Sequence, residues 1–314
     1  MNNEGLRMTP DVWWKNFGLG QEIDIGGAYI YDGIMRLHKL QSLQHSVDIF
    51  QVLYDLSIGI ERIAKVAIIL LEHRDDASVE DLEESLITHN TQKLIDRIND
   101  HSELGLSNLH REFLHLVSKF YKTHRYDRYT RASVPEISKE KEAFLGFFGK
   151  HLGIDVGETN EFQGIKNTDQ IRRFVGKVVK RITDAVFSVI KSKTSELNIY
   201  THELRGDSKA IRVFYGKRLD FIYEEIKRKE ILLFLINPSS NGRHISLLRE
   251  FGSLQLDPGM TGSYIKALFD DNELRYVEGE IEELYSEISD VNDRLGFLGI
   301  IDSEYLAYDP DEDS

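Results

Sequence analysis

Three places in the sequence gather side chains able to do chemistry. The first is Lys119–Arg131 (KFYKTHRYDRYTR), where Arg125, Arg128 and Arg131 interleave with Tyr121, Tyr126 and Tyr129. Arginine beside tyrosine suits stacking on unpaired bases together with contact to phosphates. The same residues suit a helix C-terminus, where cations meet the negative end of the helix dipole. The second is Asp169–Ser195. At about 100° per residue, Phe174, Val175, Val178, Val179, Ile182, Val186 and Val189 gather on one side of a helix. Arg172, Arg173, Lys177, Lys180, Arg181 and Lys191 gather on the other. Such a cationic face is a phosphate-contacting surface, or a solvated face paired with acidic neighbours. The third is a thin acid–base stripe, Glu61, Lys65 and Glu72, on the nearly all-apolar stretch Tyr54–His73. Glu61 and Lys65 stand four apart, in the order that favours a helical ion pair. Charges on so apolar a helix must be paired. The pair either fixes register inside a bundle or faces a groove where a ligand meets it.

Other chemistries find no support. There are no cysteines, which excludes disulfides, thiolate metal sites and cysteine nucleophiles. His38 and His45 share a helix face, but no acidic partner stands at ligand spacing, so no metal is expected. Gly18, Gly20, Gly26 and Gly27 match neither a P-loop nor a dinucleotide fingerprint, and no cofactor is expected. The string Tyr200–Arg218 crowds Glu203, Arg205, Asp207 and Ser208 around Gly206. It reads as a turn whose Asp207 or Ser208 caps the next helix.

The elements that must position these residues are helical. The chain has 314 residues, 41% of them hydrophobic, and only five prolines, each near an end or in a turn-like stretch. Residues 1–32 read as an irregular N-terminal arm that packs its aromatics on the body. Helices are expected at Ile34–Gln44, Val47–His73, Ser78–Leu86 with Ser78 as cap, His89–Ile98, Asn108–His124 and Ser138–Leu152. The glycine-rich Gly153–Lys166 is the expected boundary. Beyond it, Thr168 caps a helix running to about Ser195. Lys209–Ile236 reads as one long helix ended by Asn237-Pro238, and Asp271–Leu295 and Phe297–Tyr308 follow. The expectation is an all-α, multi-helix protein: a helical bundle over residues 33–155, a second helical domain over 165–308, and an acidic tail over 309–314.

The formal charge is −14, from 39 basic and 53 acidic residues, which argues against general coating of nucleic acid but leaves room for a local basic site. The longest apolar runs, Val66–Leu71 and Ile231–Ile236, fall far short of the ~20 residues that span a bilayer. A soluble, cytoplasmic protein without membrane association is expected.

Taken together, the first half resembles a HEPN-type helical domain. The resemblance is carried by LSIGIERIAKVAIILLEH (Leu56–His73), similar to that family's long helix with an acid and a lysine one turn apart. It is carried also by LITHNTQKLIDRI (Leu86–Ile98), similar to its histidine-led helix, and by HRYDRYT (His124–Thr130). The family is a four- to five-helix bundle found in ribonuclease toxins, antiphage defence proteins and nucleotidyltransferase partners. The resemblance implies a prokaryotic defence or stress protein that binds RNA or another nucleic acid. It also implies a homodimer, working with protein partners in a defence complex. Ribonuclease members carry an arginine and a histidine separated by four to six intervening residues, clustered across a dimer and working without metal. Here Arg111 and His115, or alternatively Arg97 and His101, are the corresponding residues. Each pair is separated by three residues, one short of the family's spacing, so a copy that binds without cleaving stands beside one that cleaves. The rival expectation is a non-enzymatic helical adaptor or assembly subunit, with the cationic helix docking an acidic surface and Glu61–Lys65 only fixing register. A third is a regulatory domain that binds a nucleotide through Lys119–Arg131.

Overall fold

The computed structural model describes residues 9–74, 79–121, 139–157, 164–200, 204–239, 243–250 and 252–301. Over them the protein is all-α, with one two-residue antiparallel bridge. The chain divides into two compact units, residues 1–222 and 223–314.

Among the described residues the first unit is helical from Pro10, in place of the irregular arm expected over residues 1–32. Thr9 accepts the Val12 N–H at 3.3 Å and Pro10 stands in the first turn of α1 (Pro10–Trp13). A π-helical turn at Trp14–Gly18 leads directly into α2 (Leu19–Lys39). Two of the glycines in that stretch, Gly26 and Gly27, are contact points between helices. Helix α3 (Ser46–Glu72) crosses α2 so closely that a Cβ on Gly26 would lie 2.9 Å from Ile63 Cγ2. One on Gly59 would lie 2.5 Å from Ile30 Cγ1. On another face, a Cβ on Gly27 would stand 2.4 Å from that of Ala210. The helix-propensity cost of each glycine, about 1 kcal/mol, is offset by the packing it permits.

Helix α3 is the centre of the unit. Val52, Leu53, Leu56, Ile60, Ile63, Ala64 and Ala67 are fully buried, and Ile68 on a further face is buried too. Around it lie α2, α5 (Thr91–His101), α6 (Asn108–Lys119), α7 (Lys139–Leu152) and α8 (Asp169–Glu196), with the short α4 (Glu80–Ser85) leading into α5. Asn90 caps α5 by accepting the Lys93 N–H, and Ser107 and His110 form a reciprocal capping box on α6. Thr168 caps α8, as its sequence suggested. Ser78, the expected cap of α4, lies outside the described residues.

Several boundaries differ from expectation, beginning with the helix expected over Ile34–Gln44, which ends at Lys39. Helix α8 does not open a second domain at residue 165. Its apolar face (Ile171, Val175, Val179, Ile182, Val186) is buried in the same core as α3. The glycine-rich segment before it is likewise tied in: β1 (Ser42–Leu43) pairs with β2 (Ile165–Lys166). Beside this bridge, buried Asn167 donates to the Leu37 and Leu40 carbonyls, at 2.6 and 2.8 Å, closing the C-terminus of α2. The expected helix Lys209–Ile236 is two, α9 (Lys209–Phe214) and α10 (Ile222–Ile236). Between them the chain turns inward to bury Leu219 and Phe221. The Leu219 carbonyl sits where a Cβ on Gly176 would be, only 2.2 Å away. Phe221 turns at φ 54°, and Asp220 accepts the Ile222 N–H at 3.2 Å to restart the helix.

The second unit holds most of α10, then α11 (Arg243–Glu250), α12 (Thr261–Ala267), α13 (Asp271–Glu287) and α14 (Val291–Ile301). The charged helix expected over Asp271–Leu295 is interrupted, because Asp290 accepts the Asp293 N–H and starts α14 afresh. Tyr264 Oη donates to Glu280 at 2.5 Å between α12 and α13. Among the described residues no helix is long and apolar enough to cross a membrane.

Candidate functional site

The acid–base stripe on α3 divides between two partners. Glu61, with a side chain only 10% exposed, accepts from Lys65 Nζ at 2.6 Å one turn along the helix. The same carboxylate meets Nδ1 of His89, 3.2 Å away, from the segment that leads into α5. A carboxylate can only accept, so Nδ1 carries the proton in this contact and Nε2 of a neutral ring is left as an acceptor. Two turns beyond Lys65, Glu72 is taken instead by α5. Arg97 grips it through two nitrogens, with Nε at 2.7 Å from Oε1, and His101 Nε2 approaches the same oxygen at 3.0 Å. The Arg97 hydrogen bonds hold the Glu72 carboxyl below its ordinary range, with a smaller contribution from His101. Arg97 and His101 thus share one carboxylate, which also ties α5 to α3.

The other arginine–histidine pair stands differently. Arg111, His115 and Lys119 follow one another at one-turn intervals along α6, and all three line a cleft of about 600 Å3 between α5, α6 and α7. Lys150 from α7 lines it too. Arg111 reaches Asp96 at 3.2 Å, and His115 Nδ1 meets Gln92 Oε1 at 3.2 Å. Lys150 Nζ lies 2.8 Å from both Glu112 oxygens, and His151 Nε2 lies 2.8 Å from one of them. Hydrogen bonding from Lys150, then His151, lowers the Glu112 carboxyl from its usual value.

A second cleft, of about 490 Å3, opens where α2, α3 and the His89 segment meet. Its polar edge is Glu61, Lys65, His89 and the Arg62–Glu22 ion pair. Trp14, Tyr29, Tyr54 and Tyr121 supply rings. The stripe that sequence reading left between a register pair and a groove therefore has an ion pair and a groove together.

The cationic face of α8 is largely turned to another use. Arg172 donates to the Leu40 carbonyl at 3.1 Å, and Arg181 to the carbonyls of Leu104 and Gly105 at 3.2 and 3.0 Å. Lys180, expected on the outer face, is half-buried and donates to the Val213 carbonyl at 2.9 Å and to Asp184. Arg172 and Arg181 tie neighbouring loops to the helix, and Lys180 ties α9 to it. Arg173 and Lys177 are exposed. A helical wheel locates a face but does not say which chain segments lie against it. Arg125, Arg128 and Arg131 lie outside the described residues, as does Glu203. Arg205 and Asp207 form an exposed pair at 3.9 Å, and Ser208 caps α9. Among the described residues no group of three or more potential ligands could hold a metal ion.

Sequence reasoning missed His89, Gln92, Glu112 and Lys150 as site residues. No local signal marks them, since their partners lie 23 to 39 residues away. No family model, curated protein or solved structure matches this chain. The fold and its clefts define an all-α protein with a mixed-charge cleft on one side of α3 and an aromatic, ion-paired cleft elsewhere along it.

Proposed function

We propose that the chain is a HEPN-like protein of prokaryotic defence or stress response that binds RNA in the α5–α6–α7 cleft, as a homodimer in the cytoplasm. One observation carries this reading. Arg111, His115 and Lys119 open onto one cleft at successive turns, with Lys150 lining it from another helix. The cations Arg111, Lys119 and Lys150 around one cleft suit the phosphates of a single strand, with His115 between the first two. The two described strings that carry the family resemblance also meet, through Glu61 and His89.

Between the two arginine–histidine pairs, we favour Arg111 and His115: Glu72 holds both Arg97 and His101, whereas Arg111 pairs with a half-exposed Asp96 and lines the cleft together with His115. In the cleaving form of the reading, His115 takes the proton of a ribose 2′-hydroxyl. The resulting oxygen attacks the adjacent phosphorus, the P–O5′ bond breaks, and a 2′,3′-cyclic phosphate remains. Arg111 balances the charge that builds on the phosphate oxygens, and the leaving oxygen takes a proton from water, the hydroxide formed being neutralised by the His115 imidazolium.

The experiment is incubation with labelled single-stranded RNA in EDTA, beside Arg111→Ala and His115→Ala. Cleavage by the wild type, lost in both variants, supports the ribonuclease. Salt-dependent binding without cleavage leaves an RNA-binding subunit, and no binding at all ends the reading.

A second reading, a non-enzymatic adaptor or assembly subunit of a defence complex, is favoured by the second unit. Ile231, Leu233, Phe234, Leu235 and Ile236 at the end of α10 are each between 45% and 60% exposed. Clustered apolar exposure of that kind suits a protein partner. Light scattering of the wild type and of Leu233→Glu and Phe234→Glu distinguishes self-association from a monomer awaiting another partner.

A further inference from the structure

We infer that the cleft lined by Glu61, Lys65, His89, Tyr54 and Tyr121 binds a single nucleobase, either of a free nucleoside or of an unpaired residue in a strand. This stands apart from RNA binding in the α5–α6–α7 cleft, because it rests on different residues.

Size, shape and charge each bear on it. The volume of about 490 Å3 falls in the range of small-molecule sites, roughly 300–1,000 Å3. The walls carry aromatic rings packed on one another: half-buried Tyr54 lies 6.0 Å from buried Tyr121 between centroids, and the more exposed His89 meets Tyr121 edge-on at 4.9 Å. Stacking of a base on such rings is tolerant of its identity and contributes appreciably to binding. At the polar edge, the Glu61 carboxylate accepts and the Lys65 ammonium beside it donates. With Nδ1 given to Glu61, His89 offers its Nε2 as a second acceptor. Acceptors beside a donor complement the edge of a heterocycle, where exocyclic amines and oxygens alternate with ring nitrogens.

Charge balance selects an uncharged ligand. Glu61 is neutralised by Lys65, and Glu22 by Arg62, so the cleft carries no net charge while His89 is neutral. A phosphate placed there would lack a counter-charge, whereas a base needs none. Nor does the core require a carboxylate at Glu61: a buried ion pair is often no more stabilising than the apolar residues that could replace it.

The test uses the full chain with Trp13→Phe, which leaves Trp14 in the cleft wall as the single tryptophan. Its emission is followed during titration with adenosine, guanosine, cytidine and uridine, their 5′-monophosphates, and a single-stranded oligoribonucleotide. The expected result is a saturable change with at least one nucleoside, bound no more weakly than its monophosphate, and weakened roughly tenfold or more by His89→Ala and by Glu61→Gln. A change with the oligonucleotide alone, lost in both variants, assigns the base to a strand. His89 is half-exposed, so its alanine variant keeps the test valid even if Glu61→Gln does not fold. No response to any nucleoside or oligonucleotide overturns the inference. So does a response confined to monophosphates, or one unchanged in His89→Ala. A protein that cleaves RNA in EDTA yet shows no Trp14 response to any nucleoside or to the oligonucleotide would leave the α5–α6–α7 reading standing and end this one.

Discussion

Arg97 on α5 grips the Glu72 carboxylate at the end of α3 through two of its nitrogens, joining helices whose contacting residues are 25 apart in sequence. The pair is partly shielded, with side chains 29% and 21% exposed. It explains why the Arg97–His101 spacing, suggestive as sequence, serves packing in the folded chain.

Stability should therefore depend on pH through this contact. The folded Glu72 carboxyl lies below its ordinary value, so its contribution is complete above the unfolded pKa and is lost as pH falls through the folded one. Glu72→Gln is expected to destabilise the protein by about 1–2 kcal/mol at pH 7. The difference from wild type should shrink steadily below about pH 4.5. Urea unfolding at pH 7 and at pH 3.5 measures both.

The α2–α3 crossing makes a second prediction, of opposite sign at two glycines. Gly59→Ala places a methyl against Ile30 and the Gly26 carbonyl, at 2.5 and 2.7 Å, and should cost about 1–3 kcal/mol despite alanine's better helix propensity. Gly146→Ala in α7 meets nothing within 4 Å and should stabilise by about 0.5–1 kcal/mol. Thermal melts of the two variants should shift in opposite directions.

Asn167 provides a third. Its amide donates to two carbonyls at the end of α2, and Asn167→Ala leaves both without that donor in a buried place. A loss of about 1–3 kcal/mol is expected. Hydrogen exchange should show the last turn of α2 and the β1–β2 bridge opening before the core.

If RNA occupies the α5–α6–α7 cleft, removing one phosphate contact should flatten the salt dependence of binding. Lys119→Ala is expected to reduce the slope of log K against log salt by about 0.7. Arg173→Ala and Lys177→Ala, on the exposed face of α8 outside that cleft, should leave it unchanged. Filter binding across a salt series measures the slopes, and equal flattening by all three would move the contact surface to α8.

Much of the secondary structure was legible in the sequence because its causes are local. Periodicity marked α3 and α8, Thr168 announced its cap, Ser208 was one of two caps the sequence offered for α9, and the spacing of Glu61 and Lys65 announced their ion pair. Glycine was the main source of error. Gly26 and Gly27 resemble chain breakers locally, but Ile63 and Ala210 press against them, and only the packed fold supplies those neighbours. The same reason accounts for α8, whose apolar face indicated that something must cover it without saying that α3 would.

The sequence alone determined that the protein is all-α and that α3 is its central helix carrying a charged stripe, since both follow from composition and a 3.6-residue period. Tertiary structure decided which groups meet that stripe. Lys65 lies within one turn of Glu61 and is fixed by helix geometry. His89, 28 residues beyond Glu61, and Arg97, 25 beyond Glu72, arrive only when hydrophobic burial docks α5 on α3. Burial is non-directional, so it does not prescribe in advance which polar groups come to face each other.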